Sequence, residues 1–93
     1  MERATAIGGM FFRSENPGDT ALWYKEKLGI ELVPSDYNQK PWTQEAGPTA
    51  FAPFSKDTDY FGDKARVWML NFRVKNLDAM VAQLRGFGVE VTI

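Results

Sequence analysis

A strand-helix-strand pattern near the amino terminus of this chain returns about 60 residues later. The matching segments are Phe12-Arg13 with Phe72-Arg73, residues 28–32 with 87–91, and Asn16 with Asn76. One spacing that relates a strand, a helix cap and a helix end predicts a duplicated unit. The alternative is coincidence, since Asn caps and Gly stops recur in any protein of strand-helix-strand type.

Two kinds of local signal alternate along the chain. Strands are predicted where apolar, β-branched or aromatic residues cluster, at residues 6–13, 30–33, 42–45, 49–54, 66–74 and 89–93. Asn16 predicts the start of a first helix, which ends at Gly29. Asn76 predicts the start of a second helix, whose apolar residues recur with helical spacing at Leu77, Met80, Val81 and Leu84.

The order of these elements predicts an α+β fold of repeated βαβββ units in a single domain, residues 1–93. The first unit covers residues 1–64. The second, at residues 65–93, contains only a βαβ pattern and is therefore incomplete. The polar loop that closes the first unit contains Tyr60 and Phe61, which either anchor the loop to the core or face a ligand.

Composition and charge exclude several classes of function. Hydrophobic residues make up 44% and charged residues 25% of the chain, the balance of an ordinary globular domain. The 11 basic and 12 acidic residues are scattered, so no basic stripe indicates a nucleic-acid partner. No apolar run approaches the ~18 residues that span a bilayer, so no membrane partner is expected. The chain has no cysteine and no signal-peptide pattern, which favours a cytoplasmic location.

The repeated passages carry a resemblance to a known family. Trp23-Tyr24 followed by Leu28-Gly29, and the segment Asn71-Phe72-Arg73-Val74 before the second helix, resemble the glyoxalase/bleomycin-resistance/dioxygenase group, also called the vicinal oxygen chelate superfamily. This resemblance implies a curved mixed sheet with the helices on its outer face. The residues that carry it belong to the scaffold, so it bears on fold more than on activity.

The same resemblance places metal ligands on the first strand of each unit, at Gly9 and Met69. Glycine has no side chain, and the methionine sulfur is too soft for oxygen-favouring metals. The chain has no histidine, and Glu45 alone does not make a metal site. We therefore expect neither a metal nor another cofactor. Without His or Cys the common catalytic groups are missing, and no catalytic residue is predicted.

A ligand site is predicted from strand alternation. If Gly9 and Met69 face a cavity, as the resemblance implies, every second residue of the two strands faces it as well. The predicted ligand-binding residues are Phe11, Arg13, Trp42, Phe51, Met69, Asn71 and Arg73. Two arginines, an amide and aromatic rings suit a small acidic or polar-aromatic molecule. The alternatives are that the arginines pair with local acids such as Glu15 or lie in water, and that Trp42 fills a core or a dimer contact.

Three functions remain open. The first is metal-free sequestration of a small molecule, which resembles the bleomycin-resistance branch. The second is a metal-dependent enzyme of the glyoxalase or dioxygenase type. The third is a shortened copy without its own ligand that folds only as a dimer. The incomplete second unit predicts a homodimer, with or without exchange of the segment from Arg66 onward.

Overall fold

The computed structural model describes all residues from 1 to 93, and its regular elements are two helices. Helix α1 is Pro17–Leu28, and helix α2 is Leu77–Gly86. The chain divides into two compact units, and from here on the first unit is Met1–Thr43 and the second unit is Gln44–Ile93. Each contains one helix. Neither helix has the length and apolar character needed to cross a membrane.

Helix α1 begins and ends where its local sequence predicts. The Asn16 side chain accepts a hydrogen bond from the Asp19 backbone N–H at 3.2 Å, which caps the first turn. Gly29 adopts a left-handed conformation, with φ of 71°, and its N–H donates to the Lys25 carbonyl at 3.0 Å. A side chain at this φ would be strained, so glycine ends the helix. The prediction of this helix is confirmed.

Helix α2 is built in the same way. The Asn76 side chain accepts from the Ala79 N–H at 2.9 Å, and the chain leaves the helix through Gly88, which has φ of 82°. Of the apolar residues at helical spacing, Met80, Val81 and Leu84 are half-buried, whereas Leu77 is 68% exposed. The prediction of a helix that starts at the Asn76 cap is also confirmed.

The structure has no β-strand, so the predicted α+β fold with βαβββ units and a curved mixed sheet is wrong. The segments expected to be strands have no regular secondary structure. Outside the helices, the backbone hydrogen bonds close turns and helix ends and do not join distant segments. The helices alone survive from the predicted pattern.

The physical reason for this error lies in what a strand requires. β-Propensity describes how well a side chain fits a half-buried sheet surface, and it does not supply the neighbouring segment that completes the hydrogen bonds. The segment at 49–54 contains Pro53, which has no N–H to donate, and the segment at 6–13 contains Gly8-Gly9, which weaken a strand. These segments are irregular because their apolar sequence is not matched by a neighbouring segment that would pair with their backbone.

Burial in the structure is slight. No side chain is fully buried, and the chain of 10.5 kDa exposes 9065 Å² to solvent. Several large apolar side chains are almost wholly exposed, among them Phe11, Val33, Phe51 and Ile93. The apolar side chains that a core would use therefore remain available to another surface.

Candidate functional site

Arg73 is the predicted site residue with the most defined surroundings. Its Nη1 donates to the Pro48 carbonyl at 2.5 Å, and its Nη2 donates to the Glu45 carbonyl at 2.7 Å. These carbonyls lie 25 and 28 residues earlier in the chain. We call Arg73 and the backbone of residues 45–48 the arginine clasp. The clasp links two distant segments of the second unit.

The arginine clasp requires a residue without a side chain at position 47, which is Gly47. A Cβ atom at Gly47 would lie 2.6 Å from the Arg73 Cζ and 2.8 Å from its Nη1, closer than such atoms approach. Lys75 adds an exposed ion pair to the Glu45 carboxylate, with 3.2 Å between Nζ and Oε1. Arg73 therefore bonds to backbone carbonyls. The sequence predicted that it binds a ligand, pairs with a neighbouring acid or lies in water.

The predicted site residues of the first unit are Phe11, Arg13 and Trp42. The Phe11 ring is 94% exposed and lies against Gly9, where a Cβ would come within 2.9 Å of the ring Cζ. Arg13 is exposed and makes no hydrogen bond or ion pair, so the alternative pairing with Glu15 is not formed. Trp42 is 41% exposed. No ring contact or hydrogen bond joins these three residues.

The predicted site residues of the second unit are Phe51, Met69, Asn71 and Arg73. Phe51 is 86% exposed, Met69 is 49% exposed, and Asn71 also lies on the surface. Of these four, Arg73 alone has a hydrogen-bond partner from another segment. The predicted site draws on both units, and the concavity that Arg13 and Arg73 would share stays a prediction.

A metal ion would need several oxygen or nitrogen donors grouped in one place. No three His, Cys, Asp or Glu side chains lie together in an arrangement that could hold a metal ion. Gly9 and Met69 occupy the positions where the resemblance places ligands, and the Glu45 carboxylate pairs with Lys75 at 3.2 Å. The residues present do not fit a transition metal.

A shallow depression on the first unit was not predicted from the sequence. It has a volume of about 380 Å³ and is lined by Asp19, Thr20, Trp23 and Tyr24, all from α1. The Trp23 and Tyr24 rings meet edge to face, with centroids 5.1 Å apart. In the sequence, the Trp23-Tyr24 pair one turn after Thr20 marks this surface, although these residues also fit a scaffold role.

A second feature, which lies outside the predicted ligand-binding residues, is a group of three rings in the second unit. Phe54 and Tyr60 are stacked, with centroids 5.4 Å apart and 25° between their planes. Phe61 contacts Phe54 at 5.3 Å and Tyr60 at 6.3 Å. We call Phe54, Tyr60 and Phe61 the aromatic platform. The sequence pointed to Tyr60 and Phe61 but not to their contact with Phe54.

Comparison with known proteins adds no relative: no family model, curated protein or solved structure matches this chain. The resemblance described from the sequence is therefore neither supported nor refuted by these comparisons. Any proposal about function must therefore be argued from the residues that this chain exposes.

Proposed function

We propose that the protein binds a small acidic or polar-aromatic molecule without a metal. The observation that supports this most directly is Arg13, whose exposed guanidinium has no partner within the chain. A guanidinium presents a planar fork of donors that matches a carboxylate. Phe11, two residues away along the chain, exposes 94% of its surface and can cover an apolar part of such a ligand. A cytoplasmic location, expected from the sequence, belongs to the same proposal.

Thermal-shift screening against small carboxylic acids, aromatic metabolites and antibiotics tests this function. We expect at least one acid to raise the melting temperature, and we expect Arg13→Gln to remove that shift. Arg3→Gln is a matched control, because Arg3 is also exposed but lies outside the predicted site. A screen in which no compound stabilises the wild-type protein would contradict the proposal. A shift that survives Arg13→Gln would assign binding to other residues.

The metal-dependent enzyme considered from the sequence is the weaker proposal, because no observation favours it. A glyoxalase- or dioxygenase-type reaction needs a bound divalent metal, and the carboxylates of this chain do not come together in a group that could hold one. Metal titration by calorimetry separates the two functions, since tight binding of one metal ion per chain would favour the enzyme.

Assembly as a homodimer is a second candidate role, and it has its own support. The chain buries no side chain fully and exposes 9065 Å². A stable interface of standard size buries about 800 Å² on each partner, which is a small part of the 9065 Å² that the chain exposes. The net charge of -1 leaves little repulsion between two copies. A second copy that covers side chains such as Phe51 would offset the thin core of a chain this short.

A further inference from the structure

The aromatic platform has no part in the function proposed above. Its three residues, Phe54, Tyr60 and Phe61, contact one another through their rings. Tyr60 is 64% exposed and Phe54 is 47% exposed, whereas Phe61 is half-buried. Phe61 therefore supports the stacked pair, and the pair presents aromatic surface to solvent. Stacked and edge-on ring contacts hold each ring in a defined orientation.

The backbone beneath the platform is held by short-range hydrogen bonds. The Thr58 N–H donates to the Ser55 carbonyl at 3.0 Å, and the Tyr60 N–H donates to the Thr58 hydroxyl at 3.2 Å. One turn later, the Gly62 N–H donates to the Asp59 carbonyl at 3.0 Å. A surface that is already ordered loses little conformational freedom when a ligand binds to it. Ordered loops of this kind often carry binding residues.

The charges around the platform are balanced. Residues 54–66 contain three acidic side chains, Asp57, Asp59 and Asp63, and three basic ones, Lys56, Lys64 and Arg66. Balanced charge gives no net field that would select an anion or a cation. The ring surfaces are then the feature that distinguishes one ligand from another. Aromatic faces and edges favour a second aromatic ring in stacked or T-shaped contact.

We propose that the aromatic platform is a binding site for the planar, uncharged aromatic ring of a small molecule, which stacks on Tyr60 and Phe54. The site uses none of the residues assigned to the acidic ligand, so it stands or falls separately from the proposed function. The ring contacts and the exposed fractions of Tyr60 and Phe54 carry the assignment.

Phenol and cyclohexanol are a matched pair of probes, since they share size and hydroxyl group and differ in the aromatic ring. Proton NMR titrations of the full chain should show phenol binding with upfield shifts of its ring protons, and weaker binding of cyclohexanol. We expect Tyr60→Leu to reduce the affinity for phenol about fivefold, because leucine keeps apolar bulk but removes the ring. Tyr60→Phe should bind as the wild type does.

Tyr37→Leu is the control variant, since Tyr37 is fully exposed in the other unit and contacts no aromatic ring. It should leave phenol binding unchanged. Far-ultraviolet circular dichroism checks that each variant keeps its helical signal. Tyr60→Ala and Phe54→Leu provide further variants if Tyr60→Leu alters that signal.

Three results would overturn the site. The first is equal affinity for phenol and cyclohexanol, which would indicate unspecific apolar binding. The second is phenol binding that survives Tyr60→Leu or falls equally in Tyr37→Leu. The third is failure of the wild type to bind phenol. If Tyr60→Leu then also loses self-association, the platform is a contact between two copies. None of these results bears on acid binding at Arg13, which its own screen tests.

Discussion

A Cβ atom placed on Gly47 would lie 2.6 Å from the Cζ of Arg73, a residue 26 positions further along the chain. The guanidinium fills this space because its two terminal nitrogens reach the Glu45 and Pro48 carbonyls on either side of Gly47. The arginine clasp therefore depends on a glycine at one position and on a forked donor at the other.

We expect Gly47→Ala to open the arginine clasp. The new methyl group displaces the guanidinium and costs both hydrogen bonds, which for exposed groups is worth about 1 kcal/mol of unfolding free energy. Thermal and urea unfolding followed by circular dichroism measure the loss. Gly8→Ala is the matched control, because a Cβ at Gly8 meets nothing within 4 Å and the residue has an ordinary φ. Equal stability of Gly47→Ala and the wild type would argue against the clasp.

Arg73→Lys should also lower the free energy of unfolding, but for a different reason. Lysine keeps the charge but is a point donor, and it cannot reach both carbonyls in the geometry of the fork. The double variant Gly47→Ala/Arg73→Lys should be no less stable than the worse single variant, since both changes break the same contacts. Fully additive losses in the double-mutant cycle would show that the two residues act independently. Arg13→Lys changes no contact within the chain, so it should leave the free energy of unfolding unchanged.

The two helix caps should make separate contributions. Asn16→Ala and Asn76→Ala each remove a side-chain acceptor for one free N–H of the first turn, and each should cost about 1 kcal/mol. Replacement by Asp at either position keeps the acceptor and should restore most of the helical signal. Equal melting temperatures for the Ala and Asp variants would show that the caps do not contribute to helix stability.

The purified protein should contain no stoichiometric zinc, nickel, manganese or iron. Its carboxylates are not grouped, and it has neither His nor Cys to complete a ligand set. Elemental analysis after extensive dialysis checks this. About one metal ion per chain, removed by Glu45→Gln, would contradict the prediction and revive the enzyme hypothesis.

The chain should sediment as a dimer at micromolar concentration. Phe51→Ala removes an aromatic side chain that is 86% exposed, and we expect it to weaken association several-fold, with Tyr37→Ala as a control outside the predicted site. The sequence also predicts that Phe51 or Trp42 substitutions weaken ligand binding together with association. A stable wild-type monomer, or an interface below about 1,000 Å² in total, would exclude this assembly.

The sequence by itself determined the helices. Asn16, Gly29 and Asn76 act through atoms three or four residues away, so the helix limits could be predicted without knowing what the rest of the chain does. The strands could not be predicted in this way. Their local composition was suitable, but a sheet exists only when a distant segment supplies the other half of each hydrogen bond.

The same distinction between local and long-range information applies to the candidate sites. The sequence alone marked Arg73 as a donor and Tyr60 and Phe61 as unusual loop residues, because side-chain chemistry is a local property. The tertiary structure decided that Arg73 bonds to carbonyls 25 and 28 residues away and that Tyr60 stacks on Phe54. Those partners depend on the path of the backbone between them, and no spacing or composition specifies that path when the intervening segments form no regular element.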